Sequence, residues 1–249
     1  MKAVQVGLAV LAVGMFSGKA SAASVYDPCL SSTCMFSMSG LATVTSAGII
    51  SWQSDATGNA ANFFTLTAPT GVFTAIPSGS QETIQNLNAA TEPVNTTFGP
   101  FPFIAFPTNP TLPALNINRI NPGYFTNTLC ASPAAVGQTC TPGTTSAFSF
   151  VNTTGNVDHP IQSTANFVVS GVTADGAGVW TANFTSQFNV PYQTILTNLA
   201  NGSVTNSYSA VATVNVGPAV PEPASLTLLG TGLLGLVRAG KKRMASKVS

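Results

Sequence analysis

The sequence predicts an all-β body, an antiparallel β-sandwich or flattened barrel with one short helix, set between two terminal segments of different character. Three observations carry that expectation. Apolar and polar residues alternate with period two over several long stretches, as in strands that bury one face. Glycine, proline, asparagine and aspartate punctuate those stretches at turn spacing. The 249 residues are 45% hydrophobic and only 6% charged, so a core can form and a long solvated chain is excluded as the main body.

The N-terminal segment comes first. Lys2 precedes an apolar run over residues 3–16, and Ser17-Gly18-Lys19 leads into Ala20-Ser21-Ala22. A positive start, an apolar run and a small-residue A-x-A ending predict a signal peptide over 1–22, cut after Ala22. A run of that length rises roughly 21 Å as a helix, short of the ~30 Å hydrocarbon core that an anchor must cross. The exported body is expected to cover 23–220.

Cysteine use fits an oxidising compartment. Cys29 and Cys34 are separated by four residues, Cys130 and Cys140 by nine. Four cysteines allow three pairings. Local closure, Cys29 with Cys34 and Cys130 with Cys140, is expected because each loop is short and rich in Ser, Thr, Pro and Gly, and each bridge restricts the unfolded chain by about 2–3 kcal/mol. A zinc site would need tighter cysteine spacing or histidine partners, and His159 is the one histidine in the chain, so no metal is expected.

Within the body, Trp180, Ala182, Phe184, Ser186 and Phe188 fall on one side of a strand and Val179, Thr181, Asn183, Thr185 and Gln187 on the other. Ala165, Phe167 and Val169 form the matching row of the stretch before it, and the intervening Asp175-Gly176 and Gly178 give a hairpin loop. Tyr208, Ala210, Ala212, Val214 and Val216 make a further apolar row. Less regular strands are expected at 35–45, 48–53, 62–67, 71–76, 115–120 and 146–152. Tyr192, Ile195, Leu196 and Leu199 recur at helical spacing after Pro191 and before Asn201-Gly202, which predicts a short helix near 191–200. Residues 80–89 fit a helical turn or an irregular strand equally. The proline-broken stretch 93–122 reads as a long surface loop, with Phe98, Phe101, Phe103 and Phe106 capping a sheet edge or the core.

Charge and motif content exclude several chemistries. Between residues 24 and 220 the acids Asp27, Asp55, Glu82, Glu92, Asp158 and Asp175 face Arg119 as the lone base. Such a surface repels nucleic-acid phosphates, so no nucleic acid is expected. His159 sits in the turn-like Asp158-His159-Pro160, and no G-x-S-x-G elbow accompanies it. No catalytic residue and no cofactor is expected, and the protein reads as a non-enzyme. A glycan hydrolase would need two facing carboxylates, whereas Asp55 and Asp175 stand in turn sequences. Trp52, at a strand end before Ser54-Asp55, is the candidate glycan contact for the rival reading as a carbohydrate-binding module.

After Val220 the composition changes. Pro221-Glu222-Pro223 makes a stiff extended segment, a glycine-interrupted apolar helix is expected to cross the membrane at about 224–240, and Arg238, Lys241, Lys242 and Arg243 stop it at a basic cytoplasmic end, 241–249. These three parts in order resemble the PEP-CTERM sorting domain of exported bacterial proteins. The resemblance implies that an exosortase, a membrane-embedded cysteine transpeptidase, recognises Pro221-Glu222-Pro223, cuts near it and passes the body to the cell surface. It also implies a Gram-negative source that makes exopolysaccharide and biofilm. The expected partners are therefore the secretion machinery, an exosortase, the inner membrane through the tail, and exopolysaccharide. The expected role is that of a non-catalytic cell-surface or extracellular-matrix protein.

Overall fold

The structure, a computed structural model, describes residues 25–54 and 58–216. The expected signal peptide and the expected membrane span at about 224–240 lie outside them. Strands occupy β1 (Cys34–Thr45), β2 (Ile49–Gln53), β3 (Phe63–Thr67), β4 (Gln81–Ile84), β5 (Leu87–Asn88), β6 (Thr97–Ala105), β7 (Leu115–Ile120), β8 (Thr139–Cys140), β9 (Ser149–Thr154), β10 (Ile161–Thr173), β11 (Gly178–Phe188) and β12 (Ser203–Val216). Among the described residues one α-helix, α1 (Tyr192–Ala200), joins β11 to β12, and 3-10 turns lie at Asp27–Leu30 and Gly71–Ala75. Among the described residues no helix is long and apolar enough to cross a membrane.

Of the two architectures the alternation allowed, the barrel is the one formed. Eight antiparallel strands close a ring in the order β11, β12, β1, β3, β4, β6, β7, β10, and β10 pairs back to β11. The longest ladder runs between the first and last strands, from Cys34 opposite Val214 to Thr45 opposite Ser203. Two strands share their second edge between neighbours. The edge of β1 pairs with β3 near its start and with β2 further along, and that of β10 pairs with β9 near its start and with β7 towards its end.

Alternation decides what fills the ring. Phe36 and Met38 on β1, Phe64 and Leu66 on β3, Trp180, Ala182 and Phe184 on β11, and Ala210, Ala212 and Val214 on β12 are all buried. An eight-stranded barrel is just wide enough for its own side chains to fill, and here the filling is largely aromatic. Phe167 and Phe184 stack with centroids 4.7 Å apart, and Phe103 stacks on Trp180 at 6.0 Å.

The two ends differ. At one, β1 begins, β12 ends, and the 174–177 turn joins β10 to β11. Buried Tyr26 lies against Phe73 here and donates its hydroxyl to Pro113 O at 2.7 Å. At the other end lies α1, whose first turn lacks a cap of its own. Its leading N–H, on Tyr192, donates instead to Asn152 Oδ1 of β9 at 3.0 Å, which satisfies one of the donors that a helix start leaves open. The apolar stripe expected on this helix is present, with Tyr192 and Ile195 buried.

Two local expectations are corrected and one open reading is decided. Residues 71–75 form a 3-10 turn in place of a strand, because the chain must turn with φ +58° at Gly71, where an added Cβ would lie 2.3 Å from Cys34 Sγ. The ambiguous 80–89 segment is extended, as β4 and β5. The 93–122 segment is no surface loop, since it supplies β6 to the barrel wall beside β7, which is the strand expected at 115–120. Pro100 and Pro102 are tolerated in β6 because the ladder to β7 slips between Thr97 and Phe101 and again between Pro102 and Ile104, so their missing N–H groups fall at irregularities. Phe103 and Phe106 are buried in the core and Phe98 and Phe101 pack against it.

Closure relies on one close approach. Gly171 on β10 lies opposite Trp180 of β11 and Ile117 of β7, at the point where the β7 register slips. Trp180 Nε1 donates across it to Asn116 O at 2.9 Å. A Cβ on Gly171 would stand 1.8 Å from that carbonyl oxygen and 2.8 Å from the indole nitrogen. Gly171→Ala is therefore expected to cost about 3 kcal/mol or more, the upper end of overpacking penalties. The measure is a lower denaturant midpoint at unchanged slope, and a midpoint equal to wild type would refute the close-approach account.

Candidate functional site

Trp52, the candidate glycan contact of the rival carbohydrate-binding reading, is not at the surface. It is 1% exposed. Its indole lies 4.9 Å from the Tyr208 ring and 5.2 Å from Phe184, and Nε1 donates to Gln85 O at 2.7 Å. Opposite it on β1 is Ala42, small enough to leave the indole room. The signal was present in the sequence: Ile50 and Trp52 share one face of β2, and both are buried while Ile49, Ser51 and Gln53 are only partly so. A stacking platform needs a free ring face, and this ring is core.

The cysteines pair as expected. Cys29 joins Cys34 with Cα atoms 5.4 Å apart, and Cys130 joins Cys140 at 5.0 Å. The first bridge fastens the Asp27–Leu30 turn to the start of β1. The second ties the 121–138 connection to β8, close to where Tyr192 donates its hydroxyl to Leu129 O at 3.0 Å. Each bridge thus anchors an irregular segment to the sheet.

Asp175 and Glu92 are used locally. Asp175 Oδ1 accepts from Ala177 N at 3.1 Å and closes the β10–β11 turn. Glu92 Oε2 accepts from Asn88 N at 2.7 Å. His159 is exposed in a turn where its backbone N–H donates to Asn156 Oδ1 at 2.8 Å. Asp55 and the side chain of Asp27 lie outside the described residues. Arg119 donates from Nη2 to Asn95 Oδ1 at 2.8 Å. Among the described residues no three His, Cys, Asp or Glu side chains converge.

Glu82 is the acid that sequence reasoning passed over. Alternation along β4 turns Glu82 and Ile84 inward, both with no exposure, and Glu82 lies opposite Phe64. Thr108, on the connection after β6, donates its hydroxyl to Oε1 and its N–H to Oε2, the latter at 3.5 Å. Burial pushes the carboxyl pKa up, and the two Thr108 donors pull it back only in part. Its chemistry is that of a clamp, since a buried polar group needs a partner and Thr108 supplies two bonds from a loop that must stay over the barrel end. The signal in the sequence was one acid on the apolar side of Gln81-Glu82-Thr83-Ile84.

Tyr26 behaves similarly. Burial, and to a lesser degree the charge of Asp175, raise its phenol pKa above the ordinary value, so the hydroxyl remains a donor to Pro113 O.

The sorting residues Pro221, Glu222, Pro223, Arg238, Lys241, Lys242 and Arg243 and the signal residues Ala20 and Ala22 lie outside the described residues. Residues 219–243 match the family model of the PEP-CTERM protein-sorting motif. That motif implies an exported protein sorted by an exosortase, from a Gram-negative bacterium and anchored transiently in the membrane. No curated protein and no solved structure matches the chain.

The buried clamp makes stability depend on pH in a defined direction. With its folded pKa raised, Glu82 holds its proton to higher pH in the folded protein than in the unfolded chain. Its contribution is full below the ordinary carboxyl value of about 4.3 and is lost as pH rises through the raised folded value. Glu82→Gln keeps acceptor oxygen for Thr108 and carries no charge. The stability of wild type relative to this variant is expected to fall as pH is raised from mildly acidic to neutral, measured by urea unfolding at each pH, and a difference independent of pH would remove the buried carboxyl from the account.

Proposed function

We propose that this chain is a non-catalytic protein of the cell surface or extracellular matrix, associated with biofilm and exopolysaccharide and delivered there by an exosortase. The observation that carries the reading is the position of the sorting motif, which begins at residue 219, directly after β12 ends at Val216. A complete barrel precedes the processing signal.

The fold supports the rest indirectly. Two disulfides suit an oxidising exterior. Asp175 and Glu92 close turns, Glu82 is sealed in the core, and His159 stands in an exposed turn, so these groups hold structure together instead of facing a shared cleft. The carbohydrate-binding alternative has lost the aromatic platform it relied on, because Trp52 is core. A glycan hydrolase would need paired carboxylates facing one cleft, an arrangement that Glu82, Glu92 and Asp175 do not suggest.

Replacing Pro221-Glu222-Pro223 by three alanines, in a host that carries an exosortase, is expected to leave a full-length, membrane-held form. Cell fractionation and mass spectrometry of the C-terminus read the outcome. Unchanged processing and unchanged surface delivery would overturn the sorting mechanism.

A further inference from the structure

The end of the barrel covered by α1 is incompletely filled. Two pockets lie there, each partly open to solvent, of about 60 Å³ and about 150 Å³, and both are lined by Val44, Ile50, Phe148 and Leu199. They are therefore neighbouring chambers of one space. The smaller is walled by the core rings Trp52, Phe167, Phe184 and Tyr208. The larger adds Leu87, Val94, Ile120 and Ala147, with hydroxyls from Thr45, Ser46, Thr145 and Ser146.

From these walls we infer that the chambers form a binding site for a small, uncharged, mainly apolar molecule of about one aromatic ring. Both recesses are partly open to solvent, and aliphatic and aromatic walls around a space of about 150 Å³ offer an apolar ring close contacts that water in the same space does not replace. No carboxylate, amine or guanidinium lines either chamber. The hydroxyls can meet one polar substituent but cannot neutralise an ion, so a charged ligand would be buried without a partner.

An entry route lies beside α1. The ladder between β11 and β12 stops at Thr185 opposite Ser209. Beyond it the strands are tied by side chains, with Ser186 Oγ donating to Ser207 O and Asn206 Nδ2 donating to Gln187 O at 2.6 Å. Ser186 and Asn206 both line the smaller chamber. The helix above is fixed by polar bonds at its first turn, through Tyr192 and Gln193, while Leu199 at its last turn meets both chambers through apolar contact.

The test uses the full-length protein and fluorobenzene, followed by 19F NMR titration and by the shift in Tm. Saturable binding with a rise in Tm is expected, since a ligand that binds only the folded state stabilises it. Ala147→Leu fills the larger chamber and is expected to weaken binding at least tenfold. Leu199→Phe, on a partly exposed helix position, should do the same if the first variant folds poorly. The 4-fluorobenzoate ion, with the same ring and a charge, is expected to bind at least tenfold more weakly than fluorobenzene. Absence of saturable binding, equal affinity in a folded filled variant, or equal affinity for the benzoate would each overturn the site. None of these outcomes depends on whether the tail is sorted.

Discussion

Closure of the eight-stranded ring is the constraint from which the rest of this structure follows. An open sheet can trade a large side chain for a small one by letting a neighbour relax outward, but a closed ring fixes the volume into which every inward residue points. The sequence meets that limit by setting small residues against large ones. Ala42 lies opposite Trp52, Gly40 opposite Tyr208, Gly171 opposite Trp180 and Ala210 opposite Phe184. At Gly40 an added Cβ would already touch the Tyr208 ring at 3.0 Å. Eight strands, two tryptophans and a row of phenylalanines can share one interior only because these four positions yield space.

A body with so few charges must do its polar work with amides and hydroxyls. Asn152, 1% exposed, shows how. Its Nδ2 donates to Ala135 O at 3.2 Å and to Gln193 Oε1 at 3.0 Å, while Oδ1 receives the first N–H of α1. One side chain thereby joins β9, the long connection that carries Cys130, and the helix. Neutral donors and acceptors of this kind lose less on burial than an ion pair does. At the opposite end Glu82, the fully sealed acid among the described residues, is tolerated because Thr108 meets it twice. The barrel is thus fastened at both ends by bonds between distant segments, and its chemistry in between is apolar.

How much of this was legible in the sequence depended on the range of the interaction. β10, β11 and β12 alternate cleanly and show their period without help, and α1 shows its stripe between Pro191 and Gly202. The disulfides were legible because each closes a short loop. Trp52 was misplaced because its end-of-strand position drew more weight than its shared face with Ile50. β6 was hidden because prolines argue against a central strand, and only the partner β7, with its slipped register, makes room for them. The 71–75 turn was hidden for a related reason: its conformation answers to Cys34, a residue far along the chain. Ring closure was the least legible feature, since it depends on β1 pairing with β12 and on β10 meeting β11 and β7 at once. Alternation tells each strand which face to bury and is silent about which neighbour it will have.

The same closure bears on how the body and the sorting segment relate along the chain. The last pair of the ring is Gly178 opposite Val216, and the sorting motif starts at residue 219. Every described strand of the barrel therefore ends before the motif begins. The ring also starts and finishes at one end, with Cys34 and Val214 side by side, so the first disulfide and the exit of β12 stabilise the same rim. The end beneath α1 holds both apolar pockets, where a helix and loops join the paired strands in forming the wall.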